Sequence, residues 1–419
     1  MPPPAASAPF RVRAYRFQWP ADLVVSWAFE METLILGWYV LVETGSVLYL
    51  TIYGALLYGG TLIAPMIGVA SDRIGHRNML SAMRAIYAVV AAVLMALAFA
   101  GLLNPAMVLV LAAVSGLVRP SDMGLRGALV ADSMPPHLLT GAMSFSRTTS
   151  DIARITGALS GAGLFAAFGV GPAYVAITLL YALGSFLTWC SSSPRPEPAE
   201  TPAVSAAASA GTWADLREGI VHIWNTPSLL AIVWLALLFN FTAFPLTNGL
   251  LPYVAKEVYR IDQTGLGYLV AAIGFGALLG ALVMTWFSTE VNLSRLMFVS
   301  AVIWHLLILV FIQMESLRGG VIMLFLCGIA QSLTMVCHTV ILLRTASQRF
   351  RGRVLGVRML AIYSLPLGLL IAGALIERTG FRWTASAFAI TGLLFTVVVG
   401  VKWRAQFWWR PPEADAAGP

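Results

Sequence analysis

Gly68 to Leu80 reads GVASDRIGHRNML. This short gap holds one Asp, two Arg, a His and two Gly. It sits between two long apolar runs, VLYLTIYGALLYGGTLIAPMI (47–67) and SAMRAIYAVVAAVLMALAFAG (81–101). Runs of that kind recur along all 419 residues. Each is about 20 residues long, enough to cross a hydrocarbon core of about 30 Å as a helix. Hydrophobic residues make up 59% of the chain and charged residues 11%, with a mean hydropathy of +0.81. Soluble domains carry roughly 25% charged residues, so the chain reads as a polytopic membrane protein. The net charge of +7 fits basic cytoplasmic loops rather than a nucleic-acid binder.

Twelve spans are predicted: about 22–42, 47–67, 80–101, 106–130, 145–167, 172–190, 229–251, 265–287, 295–313, 320–343, 354–376 and 384–402. The expected fold class is all-α, with two pseudo-symmetric six-helix bundles. Residues 1–20 form an N-terminal tail without an apolar signal region. The first bundle covers 21–190, a linker 191–228, the second bundle 229–403 and a C-terminal tail 404–419. The linker opens on SSSPRPEPAETPAVSAAASAG, too rich in Pro, Ala and Ser to pack. It continues into TWADLREGIVHIW, whose Trp213, Leu216, Ile220, Ile223 and Trp224 share one face and predict a helix at the membrane surface. Basic residues gather at both termini and in alternate gaps (Arg11, Arg13, Arg16, Arg73, Arg77, Arg217, Arg349, Arg351, Arg353, Lys402, Arg404). Both termini and the linker are therefore expected in the cytoplasm. Lys256 with Arg260, and Arg378 with Arg382, are the exceptions, the first two balanced by Glu257 and Asp262. Cys190, Cys327 and Cys337 lie in or beside apolar runs and predict no disulfide framework.

The two halves match weakly. Thr44, Gly45, Gly54 and Gly60 align with Thr264, Gly265, Gly274 and Gly280 at one offset. GLVRPSDMGLR (116–126) aligns with GIAQSLTMVCH (328–338), setting Arg119 opposite Gln331 and Arg126 opposite His338. TGAMSFSR aligns with RGRVLGVR, and Gly157 with Gly368. Three matches in the same order predict an internal duplication.

With the span number and the duplication in hand, the opening stretch resembles the loop between the second and third spans of the major facilitator superfamily. That signature runs Gly-x-Leu-Ala-Asp-Arg-x-Gly-Arg-Arg/Lys-x-x-Leu. Gly68, Asp72, Arg73, Gly75, Arg77 and Leu80 match it, Ala70 and Ser71 depart from it, and His76 replaces a basic residue. DLREGIVHIWNTPSL (215–229) and RGRVLGVRMLAIYSLPLGLLIAGALIERTGFRW (351–383) resemble the branch that includes the enterobactin exporter and related efflux proteins. GALSGAG (157–163) is similar to the antiporter motif, with Ala158 where Pro is usual. The resemblance implies a secondary transporter working by alternating access. In such a protein Gly68, Asp72, Arg73, Gly75 and Arg77 latch the cytoplasmic side. Asp72 suits that role because a carboxylate pairs with a helix N-terminus and with Arg; Arg351 and Arg353 are the expected partners across the halves.

Charge inside spans is expensive and marks function. The first span holds Glu30 and Glu32; the fourth Arg119, Asp122 and Arg126; the fifth Arg147, Asp151 and Arg154. At about 1.5 Å per residue, Glu30, Asp122 and Arg154 lie at similar depth, roughly 12 Å from the cytoplasmic end. Glu30, Glu32, Asp122, Arg119 and Arg154 are the proton-coupling candidates. A purely structural set of ion pairs is the other reading of these residues. Four Arg and four acids among these eight sum to zero, so the sign of a substrate's charge stays open. Tyr53, Phe241, Gln331 and His338 are the candidate cavity residues. No P-loop, Ser-His-Asp pattern or metal-ligand spacing is found, so neither an enzyme nor a metal or other cofactor is expected. The expected partners are a small-molecule substrate, protons and the lipid bilayer, and no nucleic acid. The expected form is a monomer in the cytoplasmic membrane. The leading activity is proton-coupled efflux of a drug-like compound or siderophore. An importer, or a receptor or scramblase on the same scaffold, is the alternative.

Overall fold

The computed structural model describes residues 8–191, 221, 223–287, 292–345 and 361–404. In lipid every backbone N–H and C=O must be satisfied within the protein, and helices do that within one segment. The first half has α1 (Arg13–Thr44), α2 (Val47–Leu56), α3 (Ala64–Ile74), α4 (His76–Phe99), α5 (Pro105–Ser133), α6 (Pro136–Phe168) and α7 (Val170–Cys190). The second has α8 (Pro227–Thr242), α9 (Gln263–Phe287), α10 (Leu293–Gln313), α11 (Leu317–Thr345), α12 (Ser364–Thr379) and α13 (Phe381–Lys402). Among the described residues there is no strand, so the all-α class holds.

Eight of these helices (α1, α4, α5, α7, α9, α10, α11 and α13) are long and apolar enough to cross a membrane. The other four expected spans fall short for specific reasons. The second is broken between α2 and α3, around Leu57 to Ile63. The fifth, α6, carries Arg147, Asp151 and Arg154. The seventh stops at Thr242 and continues as the short helical turns Phe244–Asn248 and Leu251–Tyr253 and a π-helical turn Val254–Val258. The eleventh begins in 346–360, outside the described residues. The 192–220 part of the linker, most of the expected surface helix, and Arg351 and Arg353 also lie outside them.

Ala14, His76, Arg77, Asp132 and Ser191 meet at one end of the bundle, here the terminal end. Ser191 Oγ donates to Ala14 O at 3.2 Å, Arg77 to Ser191 O at 3.4 Å, and His76 Nδ1 lies 2.6 Å from Asp132 Oδ2. The opposite, far end collects the α1–α2 corner and the turns after α8. Helix caps sharpen several corners. Asn104 accepts from Met107 N before α5, Ser46 from Tyr49 N before α2, and Asn292 from Ser294 N and Arg295 N before α10.

Helices in lipid gain little from the hydrophobic effect and associate by close packing at small residues. The packing reproduces the sequence repeat. A Cβ on Gly60 would strike Leu117 O of α5, and one on Gly280 would strike Ile329 O of α11. The alignment that pairs Gly116 with Gly328 also pairs Leu117 with Ile329. Gly157 lies against Trp27 and Glu30 of α1, and its match Gly368 against Phe241 and Pro245 at the end of α8. Matched glycines therefore seat matched helix pairs, and the duplication read from sequence is present in the packing.

Candidate functional site between the halves

The two broken spans point at the site. Discontinuous helices leave polar groups at membrane depth and recur at transporter binding sites. Asn248 ends the Phe244–Asn248 turn, and its Oδ1 accepts from Arg154 NH2 of α6 at 3.0 Å, across the halves. Tyr58 follows α2, and Arg119, Glu30 and Arg154 all lie within electrostatic reach of its hydroxyl. The Arg119 guanidinium lies on the ring of Phe29, a cation–π contact suited to a desolvated cation. Arg154, Arg119 and Asp151 are the charges acting on Glu30. Glu30, Arg119 and Arg154 thus come together as the sequence predicted, with Tyr58 and Asn248 added. Tyr58 precedes Gly59-Gly60 and Asn248 lies between Pro245 and Pro252, so helix breakers were the available signal.

Glu32 is two residues from Glu30 and points nearly the opposite way, since each residue turns the helix by about 100°. It is buried, and Tyr181 of α7 donates to its Oε2 at 2.7 Å. Tyr53 stands with it: the ring packs on Gly37, and its charged neighbours are Glu32 and Arg119. Its surroundings are those of the first half's interior.

Asp122 belongs elsewhere than the sequence reading placed it. Its Oδ2 lies 2.7 Å from Arg126 Nε and its Oδ1 3.5 Å from Arg84 Nε. Arg84 also binds Asp22 Oδ1, and donates to Thr188 Oγ1 at 2.5 Å. Arg126 donates to Ser26 Oγ at 2.7 Å. Two Asp and two Arg from α1, α4 and α5 thus make a neutral cluster nearer the terminal end, which draws Asp122 away from Glu30. Arg84, which is 0% exposed, and Asp22 are not among the candidates that the sequence offers. Both fall within four residues of a predicted span end, where charge reads as interfacial.

In the second half the candidates spread. Phe241 stacks on Phe388 at 5.5 Å and 12°, tying α8 to α13. His338 Nε2 donates to Ile232 O at 3.0 Å, tying α11 to α8. Gln331 is 8% exposed and its Oε1 has no hydrogen-bond partner among the described residues. In the loop motif, Gly75 (φ +91°) alone separates α3 from α4, a corner that only glycine makes without strain. Ser71 Oγ donates to Gly68 O at 2.6 Å and Arg77 donates to Asn78 Oδ1, while Arg73 is exposed. The side chains of Asp72 and Arg147 lie outside the described part.

The halves touch at mid-depth and at the far end. Besides Arg154–Asn248, Glu377 of α12 accepts from Ser46 Oγ and from Leu48 N at 3.3 Å, and Lys256 Nζ donates to Leu41 O at 3.4 Å. A charged site at the seam of two repeat-related helical halves, beside two broken helices, is the build of a membrane transporter.

The profile of the Major Facilitator Superfamily matches residues 23–262 and 233–418, and the chain belongs to that superfamily. Its sequence is 27% identical over 372 residues to the "Multidrug efflux pump Tap" of Mycolicibacterium fortuitum, covering 86% of this chain and 88% of that one. It is 26% identical over 377 residues to the pump of the same name from Mycobacterium tuberculosis, covering 85% and 86%. The fold is similar to that of a bacterial homologue of the human lysosomal transporter Spinster (TM-score 0.70, 15% identity, 95% of this chain and 99% of that one). It is also similar to the POT family transporter PepTSo (TM-score 0.73, 14% identity, 94% and 98%).

Proposed function

We propose that the chain is a proton-coupled exporter of a small organic molecule, a drug-like compound or siderophore. It works by alternating access, as a monomer in the cytoplasmic membrane with both termini inside. The observation that carries this reading is the Glu30–Arg119–Arg154 group, bonded through Asn248 to the opposite half. Alternating access moves the halves against each other, so the Arg154–Asn248 bond must break or slide in each cycle. Moving Arg154 changes how strongly the Glu30 carboxylate is held, and that links helix movement to proton binding. The multidrug relatives support export, and with Asp151 counted the two acids and two Arg at Glu30 sum to zero, which suits amphipathic solutes of either sign.

The test is transport in proteoliposomes of ethidium (a cation), tetracycline (a zwitterion) and novobiocin (an anion), with and without an imposed pH gradient. Wild type should concentrate at least one of them against its gradient only when protons flow the other way. Glu30→Gln keeps the shape and removes the titratable group. It should abolish uphill movement and leave downhill exchange. Gradient-driven accumulation at the wild-type rate in both Glu30→Gln and Glu32→Gln would place the coupling site elsewhere. Movement with the proton instead of against it would make the protein an importer.

A further inference from the structure

We infer that the first half contains its own proton conduit, running from Glu32 through Tyr181 and Tyr87 to the Asp22–Arg84–Asp122–Arg126 cluster, apart from the path a substrate takes between the halves. The inference rests on the proton-coupled reading above and gives the proton a route within it.

The helices align the parts. Arg84 and Tyr87 share a face of α4 at i, i+3, and Tyr181 and Thr188 share a face of α7 at i, i+7. Arg84 bonds Thr188, and one turn further on the rings of Tyr87 and Tyr181 meet at 5.4 Å. The Tyr181 hydroxyl reaches Glu32, and Asp122, Arg119, Arg126 and Arg84 all act on the Tyr87 hydroxyl. Asp22 and Glu32 bracket ten residues of α1, about 15 Å at 1.5 Å per residue. The tract therefore leads from mid-depth toward the terminal end.

Some of its hydroxyls are bonded to Glu32 and others have no partner among the described residues. Tyr87 is buried (6% exposed), yet its hydroxyl has no hydrogen-bond partner among the described residues, while the Tyr174 hydroxyl stands beside that of Tyr181 at the Glu32 carboxylate. Thr178 Oγ1 of α7 and Ser121 Oγ of α5 are likewise buried without a partner among the described residues, and Thr33 of α1 pairs with the Tyr53 hydroxyl. Buried hydroxyls are nearly always bonded, and where no protein group serves, bound water does. A file of hydroxyls and waters between two carboxyl sites relays a proton, and with it one positive charge, while every oxygen stays in place: each accepts one proton as it gives up its own. A proton leaving Glu32 through Tyr181 is matched by one arriving at Asp122 or Asp22, and nothing else is consumed. Arg119, which acts on both Glu30 and Glu32, joins the conduit to the site between the halves.

The experiment uses the reconstituted full chain, with pyranine inside the vesicles and the panel of ethidium, tetracycline and novobiocin outside. Tyr87→Phe and Tyr181→Phe keep the rings and remove the hydroxyls. Tyr87→Phe removes a hydroxyl with no partner among the described residues, so the fold should keep its melting temperature. Each variant should slow proton flux coupled to transport by about a hundredfold, the scale of losing a positioned proton-transfer group. The slowed flux should develop a solvent deuterium isotope effect, which a packing defect would not. Equilibrium binding of the transported compound should be unchanged, and the double variant should be at most about twofold slower than the slower single, because the times of two steps in series add. Wild-type coupled flux in the double variant, with wild type itself coupled, overturns the conduit alone. A wild type that moves no member of the panel under a pH gradient overturns the conduit together with the proposed function.

Discussion

Helices α5 and α11 hold matched places in the two halves and make matched attachments with different chemistry. On α5, Asp122 joins Arg84 of α4, and Arg126 joins Ser26 of α1. At the aligned positions of α11, Thr334 Oγ1 donates to Ser300 Oγ of α10 at 2.9 Å, and His338 donates to Ile232 O of α8. The fold specifies which helices must be tied and at which residues. It does not specify that the ties be charged. Charge at membrane depth is expensive, and the second half shows that neutral groups suffice to hold the same helix pairs. The charges of the first half are thus chemistry added to a shared frame, while the second half supplies a neutral wall, with Asn248 as its polar contact to that chemistry.

The largest expected difference follows from that contrast. Arg84→Met leaves Asp22 and Asp122 buried with one fewer cation, and removing one partner of a buried ion pair costs about 3–5 kcal/mol. Thr334→Val removes a neutral hydrogen bond worth about 1 kcal/mol. Thermal unfolding of the detergent-purified proteins should show a large loss of melting temperature for the first and a small one for the second. Equal losses would mean that the charged cluster is no more demanding than its neutral counterpart.

The next prediction sharpens the shared frame. A Cβ on Gly116 meets Leu56 O, and one on Gly328 meets Ile273 O, both backbone atoms that cannot rotate away. Gly116→Ala and Gly328→Ala should each destabilise by about 1–3 kcal/mol, the usual scale of overpacking, and by similar amounts. A cost confined to one half would break the structural equivalence of the repeats.

A smaller effect separates the two loops. Asp72 belongs to the motif after the second span, while STEVNLSR (288–295) after the eighth has none. Asp72→Asn should shift the conformational equilibrium by about 1.5 kcal/mol, roughly tenfold, as for loss of a charged hydrogen bond. Transport should fall accordingly, with melting temperature nearly unchanged. Glu290→Gln should do neither. Transport at the wild-type rate in a well-folded Asp72→Asn protein would remove the latch role.

The fold was readable because its determinants are local: apolar length, glycine spacing and the Gly68–Leu80 motif all lie within single segments of chain. The site was readable where depth along a helix sufficed, as for Glu30, Arg119 and Arg154. It failed where direction around the helix decided. Depth alone put Asp122 with Glu30, but the α5 face that carries Asp122 and Arg126 turns to Arg84 and Asp22, which had passed as interfacial residues. Glu30 and Glu32 are both coupling candidates in sequence, although the roughly 200° between them around α1 aims them at different neighbours. Tyr53 is one of several aromatics whose facing the sequence does not determine, while Tyr58, beside the helix break, joins the charges. His338 drew attention as a titratable group at depth, and its hydrogen bond to Ile232 O shows it engaged in holding α11 to α8.

The smallest expected effect lies where the halves meet. Glu377 of the second half accepts from Ser46 Oγ and Leu48 N at the start of α2, so it caps a helix of the opposite half. A carboxylate at a helix N-terminus contributes about 0.3–1 kcal/mol through the helix dipole and the free N–H groups. Because cap and helix belong to different halves, that energy favours the closed far end over an open one. Glu377→Gln keeps the size of the side chain and removes its charge. With spin labels at Val42→Cys and Arg378→Cys, the far-end-open fraction should rise about two- to fivefold, the population equivalent of that energy. Ser46→Ala should act in the same direction. The double variant should open little further than Glu377→Gln alone, because both changes remove one contact. Additive opening would mean that Ser46 and Glu377 act independently, and an unchanged distance distribution would leave Lys256–Leu41 and the apolar packing as what holds the far end closed.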